Sequence, residues 1–298
     1  MLVGLVGSGA MGSALGARLR QGGARALVAL DGRSERSRQL ARDAGLENVG
    51  TLVALLSRAD VVLSVVPPKS AEEVAARIAE ATGDAQPLIA DLNAIAPAAA
   101  RRVAAVLAEG GLDMVDGSIS GPPPRASGTT RVYLSGPRAA EIAALPFDGV
   151  DRVVVSDVVG AASAVKMCTA SVYKGHVALL TQALRAAEAH GVVDHVLGDL
   201  AGTGLADPTR TGATLARASA KAWRYVAEME EIADTQAAAG LTPELFRALA
   251  SVYAELAGRA VAAAPEDVPD DMPLVDVLRR LSEEAEGPAG AAFPPRAG

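Results

Sequence analysis

The chain of 298 residues has one cysteine, Cys168, and three histidines. A single thiol has no partner within the chain and cannot supply a structural zinc site, so a disulfide framework is excluded and a reducing, cytoplasmic setting is expected. His176, His190 and His195 show no HExxH spacing, and no GxSxG elbow supports Ser-His-Asp hydrolysis. Aromatic residues make up 3% of a chain that is 50% hydrophobic. The core must therefore be Ala, Val and Leu, which suits close-packed helices and parallel strands better than a β-sandwich. Positive charge is also short, with 28 Lys and Arg against 35 Asp and Glu and a net charge of −7. Nothing in that balance neutralises a phosphate backbone, so no nucleic-acid partner is expected. No segment approaches the 18 or so apolar residues of a membrane span. The first charged residue, Arg18, follows the N-terminal apolar stretch, and glycines at 4, 7, 9, 12 and 16 interrupt that stretch. This is the reverse of a secretory leader, and a soluble chain with no membrane partner is expected.

The length suits two domains. Leu2 to Val6, Ala26 to Leu30, Val61 to Val66 and Leu88 to Asp91 read as buried strands, with helical patterns near 10 to 22, 35 to 45 and 70 to 82 between them. This βαβ rhythm predicts an α/β Rossmann domain, a doubly wound parallel sheet, over residues 1–157. Short strands at Met114 to Asp116, Arg131 to Ser135 and Val153 to Val155 extend the same sheet. From about Gly160 the pattern becomes helical, over 160 to 189, 208 to 239 and 242 to 263, with Pro243 as a start signal. An all-α domain over residues 158–298 follows, with a last short helix to about Ala285 and a Pro, Gly and Ala tail from Gly287 to Gly298.

Gly7-Ser8-Gly9-Ala10-Met11-Gly12 stands directly after the first strand and opens a helix. In that context Gly7 makes the tight turn, Gly9 lets backbone approach a pyrophosphate, and Gly12 allows close helix packing, so dinucleotide binding is predicted. A glycine turn without a ligand is the poorer account, because each glycine costs backbone entropy on folding. At the end of the second strand, Asp31 suits a ribose hydroxyl, whereas Arg33 and Ser34 suit a 2′-phosphate. The balance favours NADP, and Asp31 keeps NAD open. Arg36 and Arg38 read as a solvated helix face.

Lysine is rare, at 69, 166, 174 and 221 only, beside 24 arginines. Arginine cannot lose its proton in a protein, whereas a partly buried lysine can trade one, which makes Lys166 a catalytic candidate. A snorkelling lysine on an amphipathic helix is the plain alternative. Lys166, Thr169, Ala170 and Tyr173 share one helix face, next to an apolar line of Val165, Cys168, Val172 and Leu179 that is expected to pack. Asp116-Gly117-Ser118-Ile119-Ser120-Gly121, followed by prolines and by Gly128-Thr129, reads either as an anion-binding nest or as a surface turn.

The order Gly4-Leu5-Val6-Gly7-Ser8-Gly9-Ala10-Met11-Gly12, Val65-Val66-Pro67, Asp91-Leu92-Asn93, Asp116 to Gly121 and Gly160 to Lys166 resembles the β-hydroxyacid dehydrogenase and 6-phosphogluconate dehydrogenase superfamily over nearly the whole chain. The resemblance implies an NAD(P)-dependent enzyme that moves a hydride between nicotinamide and an alcohol or carbonyl substrate. It assigns the cofactor to Gly7, Gly9, Met11, Gly12, Val66 and Pro67, and Ala10 and Asn93 within the same motifs are read as further cofactor-binding candidates. Ser120 and Gly121 hold the small-molecule substrate, and Lys166 is the general acid or base; Thr169 and Tyr173, on the same helix face as Lys166, are read beside them as substrate-binding candidates, with Tyr173 equally readable as a core residue. A homodimer with long helices between subunits is also implied.

Three positions depart from that pattern. Pro122 stands where a glycine N–H is usual, Ala170 where an asparagine is common, and Ala227-Glu228 where a Lys-Asp pair is common. All three loosen the case for a small 3-hydroxycarboxylate. The C-terminal half resembles a branch with a distinct helical domain, and its proline-rich turn is similar to those of imine reductases. Imine reduction is therefore the second expectation, and a dinucleotide sensor without turnover is a third.

Overall fold

The computed structural model describes residues 1–124 and 130–283. Gly128-Thr129, the expected helix end at Ala285 and the Gly287 to Gly298 tail lie outside the described residues. The chain divides into two compact units, Met1–Cys168 and the part from Thr169 on.

In the first unit, β1 (Leu2–Val6), β2 (Arg25–Val28), β3 (Glu47–Asn48), β4 (Val61–Ser64), β5 (Leu88–Asp91), β6 (Met114–Ser120), β7 (Arg131–Ser135) and β8 (Asp151–Ser156) form one sheet in the order β3-β2-β1-β4-β5-β6-β7-β8. All neighbours are parallel except β6 and β7, which pair antiparallel. Helices α1 (Ala10–Gln21), α2 (Glu35–Asp43), α3 (Leu52–Leu56), α4 (Ala71–Ala81), α5 (Pro97–Glu109) and α6 (Ala139–Ala143) connect the strands. Alternate residues serve opposite faces. Val3, Leu5, Val61, Leu63 and Ala90 join one core, while Leu27, Val62 and Ile89 join the other. Two covered faces explain why the strands read as unbroken apolar runs.

Some boundaries differ from the sequence reading. The strand expected to reach Val66 ends at Ser64, because Val65 and Val66 turn over the glycine loop. The strand expected at Met114 to Asp116 continues to Ser120, and β3, α3, α5 and α6 had no predicted counterpart.

The long helix α7 (Ala161–Ala189) begins in the first unit and continues into the second, where α8 (Val193–Gly202), α9 (Thr211–Ser219), α10 (Ala222–Ala238), α11 (Glu244–Ala257) and α12 (Leu274–Ser282) follow. The pattern over 208 to 239 is two helices, broken at Ala220 and Lys221. The Ser219 hydroxyl accepts from Val261 N–H at 3.1 Å there, which fixes the end of α9. The apolar line expected to pack on α7 is corrected. Val172 is 73% and Leu179 57% exposed, and Cys168 is exposed too, while Ala170, Lys174, Val177, Ala178 and Thr181 are buried. The large apolar residues that α7 does bury are Met167, Val177, Leu180 and Leu184, with small side chains and a paired lysine beside them.

Candidate nucleotide and catalytic site

The sheet order reverses between β1 and β4, and the crevice beyond the carboxyl ends of those two strands is where open α/β sheets bind ligands. Gly7 leaves β1 with φ +103°, and a Cβ there would stand 2.1 Å from the Val65 carbonyl oxygen. A Cβ on Gly12 would stand 2.0 Å from the Gly7 carbonyl oxygen. Both glycines are therefore required by packing. Gly9 differs, because a Cβ there would meet nothing within 4 Å. Gly9 is the N-cap of α1, with no side-chain cap and no acid in the first turn, so that helix end is left to an anion from outside. Ser8, which the sequence reading passed over, is 3% exposed, and its Oγ has no hydrogen-bond partner. A buried hydroxyl beside an open helix N-terminus fits a pyrophosphate that accepts from it. Only the glycine spacing could have pointed to Ser8. Ala10 is exposed, and Met11 packs partly against the core below.

At the end of β2, Asp31 is exposed and Arg33 half-buried. Ser34 is the N-cap of α2 and accepts from Ser37 N–H at 3.3 Å. Arg38 is not a solvated face residue as expected: it is half-buried, and its Nε donates to the Arg33 carbonyl at 3.0 Å. The loop and the first turn of α2 thus carry two carboxylates, Asp31 and Glu35, the latter paired with Arg42, and the guanidinium groups of Arg33, Arg36 and Arg38.

The Val66-Pro67 turn is held from beneath. Asn93, 2% exposed, accepts from Val66 N–H at 2.7 Å and donates to Asp91 at 2.7 Å. Burial pushes the Asp91 carboxyl up to about 7, with nearby Asp116 adding to the rise and hydrogen bonds from Asn93 and Ser64 opposing it.

The segment read as a possible nest is strand β6, registered on β7 from Asp116 opposite Ser135 to Ser120 opposite Arg131. Its backbone is in the ladder, and the chain turns out only at Gly121, where φ is +107°. Asp116 and Ser118 instead hold the start of α7. The Asp116 carboxylate, 1% exposed, accepts from Gly160 N–H at 3.0 Å, Ser163 N–H at 3.1 Å, Ser163 Oγ at 2.6 Å and Ser135 Oγ at 2.8 Å. Ser118 Oγ donates to the Ala162 carbonyl at 2.7 Å. The next residue on that strand face is Ser120 and the next on that helix face is Lys166, both half-buried.

In the second unit Thr169 is exposed, and Tyr173 is exposed on α7. Glu228 forms a buried ion pair with Lys174, whose Nζ also lies 4.6 Å from the centre of the Tyr225 ring. Among the described residues no group of three or more His, Cys, Asp or Glu is placed to hold a metal, and no helix is long and apolar enough to cross a membrane.

Residues 2–147 match the NAD binding domain of 6-phosphogluconate dehydrogenase, and residues 187–256 match a domain family of unknown function. Among solved structures, the conserved protein MTH1747, described as similar to 3-hydroxyacid dehydrogenases, is 28% identical, with 86% of this chain and 96% of that one covered and a TM-score of 0.67. A Mycobacterium tuberculosis 3-hydroxyisobutyrate dehydrogenase is 20% identical, with 94% and 98% covered and a TM-score of 0.69. A Streptomyces aurantiacus imine reductase is 22% identical, with 94% and 99% covered and a TM-score of 0.54. The last two likenesses are of fold.

Proposed function

From the premise that residues 2–147 are an NAD-binding domain of the 6-phosphogluconate dehydrogenase type, we propose that the chain is an NADP-preferring oxidoreductase acting on a small alcohol or carbonyl compound, with Lys166 as its general acid or base. The observation that carries this is the nucleotide cradle, an uncapped α1 N-terminus with an open Gly9 and an unpartnered Ser8 hydroxyl. Gly7, Ser8, Gly9, Ala10, Met11 and Gly12 would hold the pyrophosphate, and Val66 and Pro67, braced by Asn93, would flank the nicotinamide. Arg33 with Ser34 suits a 2′-phosphate, which supports NADP over NAD. When bound, the nicotinamide supplies or takes up the hydride.

Lys166 Nζ takes the hydroxyl proton in oxidation and returns it to the carbonyl oxygen in reduction, a contribution of about 10² to 10⁴ in rate. Ser120 and Gly121 orient the substrate, with Thr169 and Tyr173 further along the helix. The exposed Cys168, Val172 and Leu179 face of α7 is read as the packing surface for a second copy, and scattering that returned the mass of one chain would refute that.

The test is titration with NADPH and NADH followed by nicotinamide fluorescence, in the wild type and in Arg33→Ala. NADPH preference in the wild type, reduced about 30-fold or more in the variant by loss of a charge-assisted pair, is the expected result. Failure of both nucleotides to bind would overturn the proposal. Lys166→Arg keeps the charge but cannot lose a proton, so it should bind NADPH normally and lose turnover on whichever carbonyl or imine proves active.

A further inference from the structure

The helical unit holds a cavity of about 190 Å³ whose wall uses residue types this chain otherwise avoids. Tyr173, Tyr225 and Tyr253 line it, three of only four tyrosines in the sequence, together with Lys174 and Lys221, two of only four lysines. Arg210 and Arg217 complete a lining with four cations and no carboxylate. In a chain of net charge −7 this is a local reversal of sign. The helices add to it, because Arg210 is the N-cap of α9 and Lys221 the N-cap of α10, neither with a side-chain cap bond.

The surrounding charges set the balance. Lys174 is matched by buried Glu228, with Arg224 Nε 3.6 Å from the same carboxylate. Arg217 donates to the Val268 carbonyl at 2.9 Å and to Asp270 at 2.6 Å, but the Asp270 side chain is 96% exposed and well screened. Arg210 lies near Asp207, which caps the preceding turn through Thr209. Lys221 is half-buried, and its ammonium is pushed below the usual lysine range first by burial and then by Arg224 and Arg217, with Glu266 pulling the other way. An anion from solution relieves that repulsion. The volume corresponds to about six waters and lies below the roughly 300 Å³ of a drug-sized pocket, so it suits one small charged group. An adjoining hollow of about 330 Å³, lined by Arg210, Ala213, Thr214, Arg217 and Asp270, leaves room for the rest of a small molecule, and Asp270 there favours a neutral or donor-bearing remainder.

We propose that this cavity binds the carboxylate or phosphate of a small organic acid, with Lys221, Arg210 and Arg217 as its cations. The site does not depend on the nucleotide reading, because every residue in it belongs to the second unit.

The test uses the full chain saturated with NADPH, so that phosphate groups at the glycine loop are already supplied, with inorganic phosphate and succinate as probes. Nucleotide binding is read separately by fluorescence, and if it fails the same assay is run without nucleotide on Arg33→Ala. Acylation of Lys221 by acetic anhydride is followed by peptide mass spectrometry, with exposed Lys69 as the internal control. A probe at about four times its dissociation constant should slow labelling of Lys221 about fivefold and leave Lys69 unchanged. Arg210→Gln should abolish that protection while keeping nucleotide affinity. Absence of protection by either probe, or protection that persists in Arg210→Gln, overturns the proposal. Once a turned-over substrate is known, a rise in KM at constant kcat in Lys221→Met assigns the anion to the substrate itself, whereas an unchanged KM with phosphate-sensitive kcat assigns it to a separate small acid.

Discussion

Replacing Asp116 tests the link between the sheet and the helix that carries Lys166. Its Oδ2 accepts from Gly160 N–H, Ser163 N–H and Ser135 Oγ, and its Oδ1 accepts from Ser163 Oγ. In Asp116→Ala both serine hydroxyls can turn to other acceptors, but two buried backbone N–H groups lose their partner at roughly 1–3 kcal/mol each. Loss of a carboxylate at the N-terminus of a long helix adds about 0.5–1 kcal/mol, for an expected cost of about 4 kcal/mol. Asp116→Asn should behave differently. Its amide oxygen can occupy the Oδ2 position and keep three acceptor bonds, while its NH₂ donates to the Ser163 hydroxyl, which can accept. Only the charge is lost, a cost of about 1–2 kcal/mol. Urea unfolding of both variants measures the difference, and hydrogen exchange at Gly160 and Ser163 locates it. Equal losses in the two variants, or a cost below about 1 kcal/mol for alanine, would refute the reasoning. If it holds, turnover should fall further in Asp116→Ala than in Asp116→Asn at unchanged NADPH affinity, because the cradle lies on β1 while the cap lies on α7.

The remaining expectations use the same residues. Asp91, with an unfolded value near 3.8 and a folded one of about 7, holds an extra proton in the native state between those limits. Stability should therefore fall as pH rises from about 4 to about 7, by at most about 4 kcal/mol, and denaturant melts of Asp91→Asn should show a flatter profile whatever their absolute offset. Gly9→Ala should leave the melting temperature nearly unchanged and weaken NADPH binding at least tenfold, whereas Gly12→Ala should lose stability even without nucleotide; thermal melts and fluorescence titration separate the two. Glu228→Ala strands Lys174 and should cost about 3–5 kcal/mol in chemical denaturation, most of it recovered in the double variant Lys174→Met, Glu228→Leu.

What the sequence made legible follows from how local each signal is. Gly7 and Gly12 were legible because a tight turn and a close helix contact each demand glycine, while Gly9 marks the open end of α1 where the nucleotide is proposed to sit, and the two-sided burial of β1 is written in an unbroken apolar run. Ser8 was not legible, since a serine between glycines becomes informative only when its hydroxyl is seen buried and unpartnered. Asp116 was read inside a turn motif, yet it caps a helix that begins 45 residues later, a contact that no periodicity encodes. The face of α7 was misread for a related reason. Hydrophobicity ranks Val172 and Leu179 above Ala170 and Lys174, but the buried stripe is set by the partners across from it, and Glu228 on α10 makes position 174 an interior one. The cationic cavity shows the same logic: Lys174 stands well before Arg210, Arg217 and Lys221 in the chain, and only the packing of the helices brings these four cations into one lining.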